Sequence, residues 1–192
     1  IDRENRIINS LLTMVKYDKT DAEMKVETVN VNELIELILK RLRPIAVTKN
    51  VELVLESFRP VAAELDEVKF TLAITNLVEN AIKYNASHGK VIITLDRNEE
   101  FGTLLVEDTG IGIPEDALSH IFERFYRVDK ARSRASGGSG LGLSIVRNMV
   151  QRNQGNIHVE SVYGKGTTFT LEFTAFDTEE QEKNDEIYLM ER

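Results

Sequence analysis

Apolar residues recur along this chain at two periods, one helical and one extended. Ile7, Ile8, Leu11, Leu12, Met14 and Val15 fall at helical spacing, so a helix is expected over residues 1–19. Residues 23–29 read as a short strand. Asn32 is a candidate cap for a helix through Leu34, Ile35, Ile38, Leu39 and Leu42, stopping at or just beyond Pro44. Residues 51–56 alternate as a strand. Asp66 suits the N-cap of a helix running to about Tyr84. Strands are expected at 90–95 and 102–107 around a turn at Asn98, then a short helix at 115–121. Residues 123–140 show almost no regular pattern. Helix resumes at Leu141 and ends near Asn153, with Gly155 just past it. A hairpin, 159–162 and 167–173, turns at Gly164. Strands and helices mix without strict βαβ alternation, which predicts an α/β sandwich with a mixed sheet.

Composition narrows the chemistry. The chain has 192 residues, enough for one domain plus some extra. It has no cysteine, which excludes a disulfide scaffold, a thiol nucleophile and a thiolate zinc site. Its three histidines, His88, His120 and His158, do not cluster in sequence. No apolar run is long enough to span a membrane, and the charged start (Asp2, Arg3, Glu4, Arg6) does not read as a signal peptide. The net charge is −8, of which residues 176–192 carry −5 through seven acids and two bases. This segment is expected to be a disordered or weakly helical tail. Against that background, Arg124, Arg127, Lys130, Arg132 and Arg134 face Asp129 alone within 124–134. An acidic chain argues against nucleic acid as a partner, and a local basic cluster suits a small anion. A solvated loop explains the same charges.

Three stretches carry candidate chemistry. On the helix 66–84, with Asn76 at zero on a helical wheel, Asn80 lies at about 40°, Lys83 at about −20° and Tyr84 at about 80°. Phe70, Ile74, Leu77, Val78, Ala81 and Ile82 occupy the arc from about 100° to 240°. One face packs, and the other gathers two amides, an amine and a ring. Such a face is often merely solvated, but asparagine is a mediocre helix former there. Amide oxygens also suit a magnesium ion that already carries phosphate. The second stretch is Glu107-Asp108-Thr109-Gly110-Ile111-Gly112-Ile113-Pro114. A strand ends in a carboxylate that can accept from an exocyclic amine, and two glycines allow a flat ligand to approach. An Asp-rich turn is the plain alternative. The third is Gly137-Gly138-Ser139-Gly140-Leu141-Gly142-Leu143, a glycine run feeding a firm apolar helix. That arrangement makes an anion site from free N–H groups and the helix dipole. Between the last two, residues 129–140 carry nothing more apolar than alanine, which suggests a mobile lid, ordered at its ends by a bound triphosphate.

The order of these stretches resembles sensor histidine kinases. Asn76-Leu-Val-Glu-Asn80-Ala-Ile-Lys83-Tyr84 resembles the N box, and Asp108-Thr-Gly110-Ile-Gly112 the first glycine box. Phe122-Glu-Arg-Phe125-Tyr126-Arg127 resembles the F box. Gly138-Ser139-Gly140-Leu141-Gly142-Leu143 and Gly164-Lys-Gly166-Thr167-Thr168 resemble the second and third glycine boxes. The run Phe125-Tyr-Arg-Val-Asp-Lys-Ala-Arg is typical of the receptor-kinase subclass that includes the WalK and PhoR types. The resemblance implies a Bergerat-type two-layer α/β sandwich over 21–175. Ahead of it, residues 1–20 would be the end of a dimerisation and phosphoacceptor hairpin, and 176–192 the acidic tail.

The resemblance also implies ATP or ADP with Mg²⁺. Asn80 would ligate the ion, supported by Asn76, while Lys83 and Arg127 would meet phosphate oxygens; Asn76, Lys83 and Arg127 are thus the expected catalytic residues. Asp108 would accept from the adenine amine, with Tyr84 packed near the base, Gly110 and Gly112 letting it lie close, and Ile113 and Phe122 also in the cofactor site. Gly138, Ser139, Gly140, Leu141, Gly142, Leu143 and Thr168 would complete the cofactor site. The activity implied is transfer of the γ-phosphate to a histidine. In the family that histidine is followed by an acidic residue, whereas here Gly89, Ile121 and Val159 follow the three histidines. The acceptor is therefore expected on a dimerisation domain outside this chain, with a response regulator downstream. The fragment itself would be cytoplasmic, without membrane contact, within a parent in the bacterial plasma membrane. Two alternatives stand beside this reading. A gyrase-like ATPase would place a glutamate base where Asn76 stands, and a nucleotide-responsive interaction module would transfer nothing.

Overall fold

The computed structural model describes residues 25–128, 142–152, 155–177 and Met190. The helix expected over 1–19, residues 129–141 and most of the acidic tail lie outside the described residues. In chain order the elements are β1 (Glu27–Asn30), α1 (Val31–Thr48), β2 (Glu52–Ser57), β3 (Ala62–Leu65) and α2 (Glu67–Lys83). They continue with β4 (Lys90–Arg97), β5 (Phe101–Asp108), a single 3₁₀ turn (Glu115–Ala117), α3 (Gly142–Arg152), β6 (Asn156–Val162) and β7 (Gly166–Thr174).

Five strands form the main sheet in the order β2-β4-β5-β7-β6. β2 and β4 run parallel, and the other neighbours are antiparallel. Alternation along each strand gives the sheet two faces. Val91, Ile93, Leu95, Leu104, Val106, Phe169 and Leu171 point at the helices and are buried. The register sets Ile92, Glu107, Thr168 and Glu160 in one row on the opposite face. The helices cover the apolar face only, so the chain is the two-layer α/β sandwich with a mixed sheet that the pattern predicts. α2 lies across the sheet and buries Phe70, Ile74, Leu77, Val78 and Ile82. Each contributes roughly 1.5–3 kcal/mol of burial. Fully wrapped in this way, α2 has little freedom to rotate, and its opposite face is fixed with it.

Several expectations are corrected. The side chain that caps α1 is Asn30, which accepts from the N–H of Glu33; Asn32 lies inside the helix. Asn32 instead accepts the backbone N–H of Val61 at 2.7 Å and so pins α1 to the segment before β3. α1 runs through Pro44 to Thr48 because Ala46 beyond it is buried and Pro44 sits on the exposed side. β3 was not expected at all. Its Ala62-Ala63-Glu64-Leu65 has weak strand preference and is extended because it pairs with β1. The helix expected at 115–121 is only the 3₁₀ turn Glu115–Ala117. Phe176 exchanges two 2.9 Å backbone bonds with Ala62, and Asp177 bridges Arg97 at 2.6 Å. Pairing with the rest of the fold thus continues through Phe176 and Asp177.

Candidate functional site

The exposed arc of α2 is where the sequence placed it. Asn76, Asn80 and Lys83 are half-buried and share the face turned away from the core. The helix starts at Asp66, whose carboxylate accepts the N–H of Lys69 at 3.1 Å, and ends with Tyr84 as its C-cap. The Lys83 ammonium lies 5.2 Å from the centre of the Tyr84 ring. Glu79, on the same helix, has its carboxyl pushed above its usual range by desolvation, an effect that the Lys83 charge opposes. Gly142, the first residue of α3, abuts this face: a Cβ there would stand 3.6 Å from Oδ1 of Asn76. The first N–H groups of a helix have no partner within it. The start of α3 therefore brings donors and a positive dipole end against the Asn76 amide of α2.

Asp108 closes β5 on the helix-facing side of the sheet, next after Val106 on that face. Its Oδ1 accepts the N–H of Gly110 at 2.9 Å. Burial pushes the carboxyl above its ordinary value, while the N–H groups of Gly110 and Thr167 pull it back. Such a carboxylate is short of solvent and retains acceptor capacity for a donor brought by a ligand. The following loop is tied to the end of α2 by a 3.1 Å bond from Ile111 N–H to the Tyr84 carbonyl. Only glycine fits at 110, because a Cβ would stand 2.5 Å from the Tyr84 carbonyl oxygen. Gly112 has φ +70° and backs onto the Val162 carbonyl, where a Cβ would come within 2.3 Å. The start of α3 thus adjoins the α2 face at Asn76, and the Asp108 corner adjoins the end of the same helix at Tyr84.

Two side chains that the sequence reading passed over hold this corner together. Asn85 donates to the Lys90 carbonyl at 2.8 Å and accepts from the Thr109 hydroxyl at 3.1 Å. Thr109 Oγ1 accepts the Lys90 N–H at 2.8 Å. Together they fasten the end of α2 to β4 and to the glycine loop. Asparagine just past a helix end followed by a turn was the available signal.

Thr168 is the cross-strand partner of Glu107, on the open face of the sheet, away from Asp108. The strand alternation turns it there, and Thr167, buried and paired with Asp108, occupies the helix side instead. Phe122 meets Phe169 edge-to-face at 6.3 Å with the Arg147 guanidinium 5.7 Å from its ring centre, so it anchors the segment that follows. Leu143 and Ile113 pack partly buried against the core. Phe125, exposed, has φ +65°, a strained conformation for an aromatic residue. Arg127 is half-buried nearby in sequence. Gly138, Ser139, Gly140 and Leu141 lie outside the described residues. Among the described residues no three His, Cys, Asp or Glu side chains gather into a metal site.

Residues 65–176 match the family described as histidine kinase-, DNA gyrase B-, and HSP90-like ATPase. The sensor histidine kinase WalK of Bacillus subtilis (strain 168) is 40% identical over 183 residues, 94% of this chain and 30% of WalK. The phosphate regulon sensor protein PhoR of Pseudomonas aeruginosa is 34% identical over 181 residues, 94% of this chain and 41% of PhoR. The chain thus spans less than half of these relatives' length. Among solved structures, the mycobacterial sensor histidine kinase MprB superposes with a TM-score of 0.70 at 26% identity, covering 80% of this chain and 99% of that one. Full-length ShkA in complex with AMPPNP gives a TM-score of 0.76 at 26% identity, covering 91% of this chain and 36% of ShkA.

Proposed function

This chain belongs to the histidine kinase-, DNA gyrase B-, and HSP90-like ATPase family, as an ATP-binding catalytic domain of the sensor histidine kinase kind, and we propose that in its parent protein it carries the γ-phosphate of Mg²⁺-bound ATP to a histidine on a dimerisation hairpin. The observation that carries the proposal is that α2 joins two features along one side: Gly142 at the start of α3 abuts its Asn76, and the glycine loop after Asp108 is bonded to its end at Tyr84.

In this reading Asp108 takes the exocyclic amine of the base, and Gly110 and Gly112 let the base lie against the backbone. Lys83 and Arg127 meet phosphate oxygens, and the N-terminus of α3 offers its N–H groups to the same charge. The residues present fit a magnesium ion: Asn80 supplies a neutral oxygen and Asn76 a second amide beside it, while the remaining charge comes from the nucleotide. When bound, the ion neutralises phosphate charge. Phosphoryl transfer passes through a loose transition state, so positioning and charge compensation do most of the work and no covalent nucleophile is required. A gyrase-like hydrolysis is disfavoured by Asn76, which cannot act as a base for water.

The acceptor comes from outside the described site. His88 stands in a turn at φ +65°, His120 is bonded to Glu123 at 2.8 Å, and His158 is on the open face of the sheet. None of the three has the helical, acid-flanked setting of the family's acceptor. A membrane-anchored receptor with this domain on its cytoplasmic side, passing phosphate to a response regulator, completes the proposal.

The test is label transfer from γ-labelled ATP. The chain alone is expected to remain unlabelled. A supplied dimerisation hairpin from the same receptor should take up acid-labile phosphate, only with Mg²⁺ present. Label on His88, His120 or His158, or a hairpin left unlabelled, overturns the proposal. Asp108→Ala should weaken ADP about tenfold to a hundredfold in calorimetry, as expected for a lost charge-assisted hydrogen bond.

A further inference from the structure

One hydroxyl joins the loop after β5 to the turn between β6 and β7. Ser161 Oγ accepts the N–H of Ile113 at 2.8 Å, donates to the Gly166 carbonyl at 2.9 Å, and lies 2.9 Å from Thr167 Oγ1. A serine hydroxyl has one hydrogen and two acceptor sites. The Gly166 carbonyl brings no hydrogen, so the serine proton goes to it. Ile113 uses one acceptor site. What remains is a lone pair, to which Thr167 must donate. Every hydrogen-bonding capacity of Ser161 is then used, and the single hydrogen of Thr167 is committed away from the Asp108 corner. Thr167 is buried and is the cross-strand partner of Asp108 on the helix-facing side. Opposed residues on one face have Cβ atoms about 4.5–5.5 Å apart. Towards a base, Thr167 Oγ1 therefore shows only lone pairs, beside a carboxylate that also only accepts.

We propose that Ser161 is a specificity-determining positioning residue: by holding the Thr167 hydrogen it makes the Asp108–Thr167 corner accept-only, which admits a 6-amino purine and repels a 6-oxo purine. The inference rests on the reading of that corner as the base site. An amino group brings two N–H donors to two acceptors. A 6-oxo group brings lone pairs against lone pairs, and an unmade or repulsive polar contact in a buried site discriminates far more than a change of apolar bulk. Without the Ser161 hydroxyl, the Thr167 hydrogen is free to rotate towards the corner and donate to the 6-oxo oxygen. The same substitution also unties Ile113, so loss of stability alone would not identify the role; the ratio between two bases does.

The experiment is calorimetric titration of this chain with ADP and with inosine diphosphate, in Mg²⁺ buffer. The unaltered chain is expected to prefer ADP by tenfold or more. Ser161→Ala should shrink that preference at least fivefold, and Ser161→Thr, which keeps the hydroxyl, should restore it. In a Thr167→Val background, adding Ser161→Ala should change the preference by less than twofold, because the relay is already gone. If Ser161→Ala does not fold, Ser161→Cys, whose thiol is a poor acceptor, carries the same expectation. A preference unchanged within twofold in the Ala or Cys variant overturns the inference, as does an undiminished effect in the Val background. Failure of the base-site reading is distinguishable: the unaltered chain would not bind ADP, or Asp108→Ala would bind it equally well.

Discussion

Asp108 keeps a carboxylate where burial favours the neutral form and two backbone N–H groups favour the ionised one, with burial the stronger. Its pKa in the folded chain is raised above the unfolded value, so the native state binds the proton more tightly. Stability from this group is present below the ordinary value of 3.8 and lost as pH rises through the folded value. Asp108→Asn, which cannot ionise, should therefore melt at a higher temperature than the unaltered chain at pH 7. The gap should close as pH falls below about 4, where both forms are neutral. Equal melting temperatures at pH 7 would mean that the carboxylate is fully compensated. Thermal unfolding across pH 3–8 measures this. Backbone geometry gives a second contrast. Gly164 has φ +85° with open space around it, whereas Gly166 has φ +143° and a Cβ there would stand 2.0 Å from the Asp108 carbonyl oxygen. Gly164→Ala should cost about 1–2 kcal/mol, from the backbone alone. Gly166→Ala should cost clearly more in urea unfolding, because it also pushes on the strand that carries Asp108. Which of Thr167 and Thr168 faces the helices was not legible from Gly164-Lys-Gly166-Thr167-Thr168. A one-residue shift reverses the face, and only the register with β5 sets it.

At the scale of elements, local signals were read well wherever period and cap agreed. α2 begins after Asp66 and ends at Tyr84 because a capping carboxylate, a continuous apolar arc and a polar exit all coincide. α1 shows where local reasoning loses. Both Asn30 and Asn32 are capping residues, and the choice depends on β1, which directs the chain so that Asn30 meets the N–H of Glu33. Asn30→Ala should accordingly cost about 1 kcal/mol in chemical denaturation, the usual value of an N-cap. A negligible cost would show that the Glu33 N–H is satisfied without the Asn30 side chain. β3 could not be read because alanines are extended there only through pairing with β1, across a long sequence separation. The 3₁₀ turn at Glu115–Ala117 ended early for a similar reason: Phe122 is held by Phe169 and Arg147, contacts that no local period announces.

For the whole molecule, helices cover one sheet face, and the polar arc of α2, the end of β5 and the start of α3 all come to that covered side. The motif order in the sequence located these parts, but not their common side, which is a property of the sheet register. Together they are proposed to make one nucleotide site. Titrating an isotopically labelled chain with ADP and Mg²⁺ while following backbone amide shifts tests it most directly. Concerted, saturable shifts are expected at Asn76, Asn80, Asp108, Gly110 and Gly142, with little change at Glu160 and His158 on the open face. Shifts centred on the row Ile92, Glu107, Thr168 and Glu160, or no saturable shifts at all, would contradict the proposal.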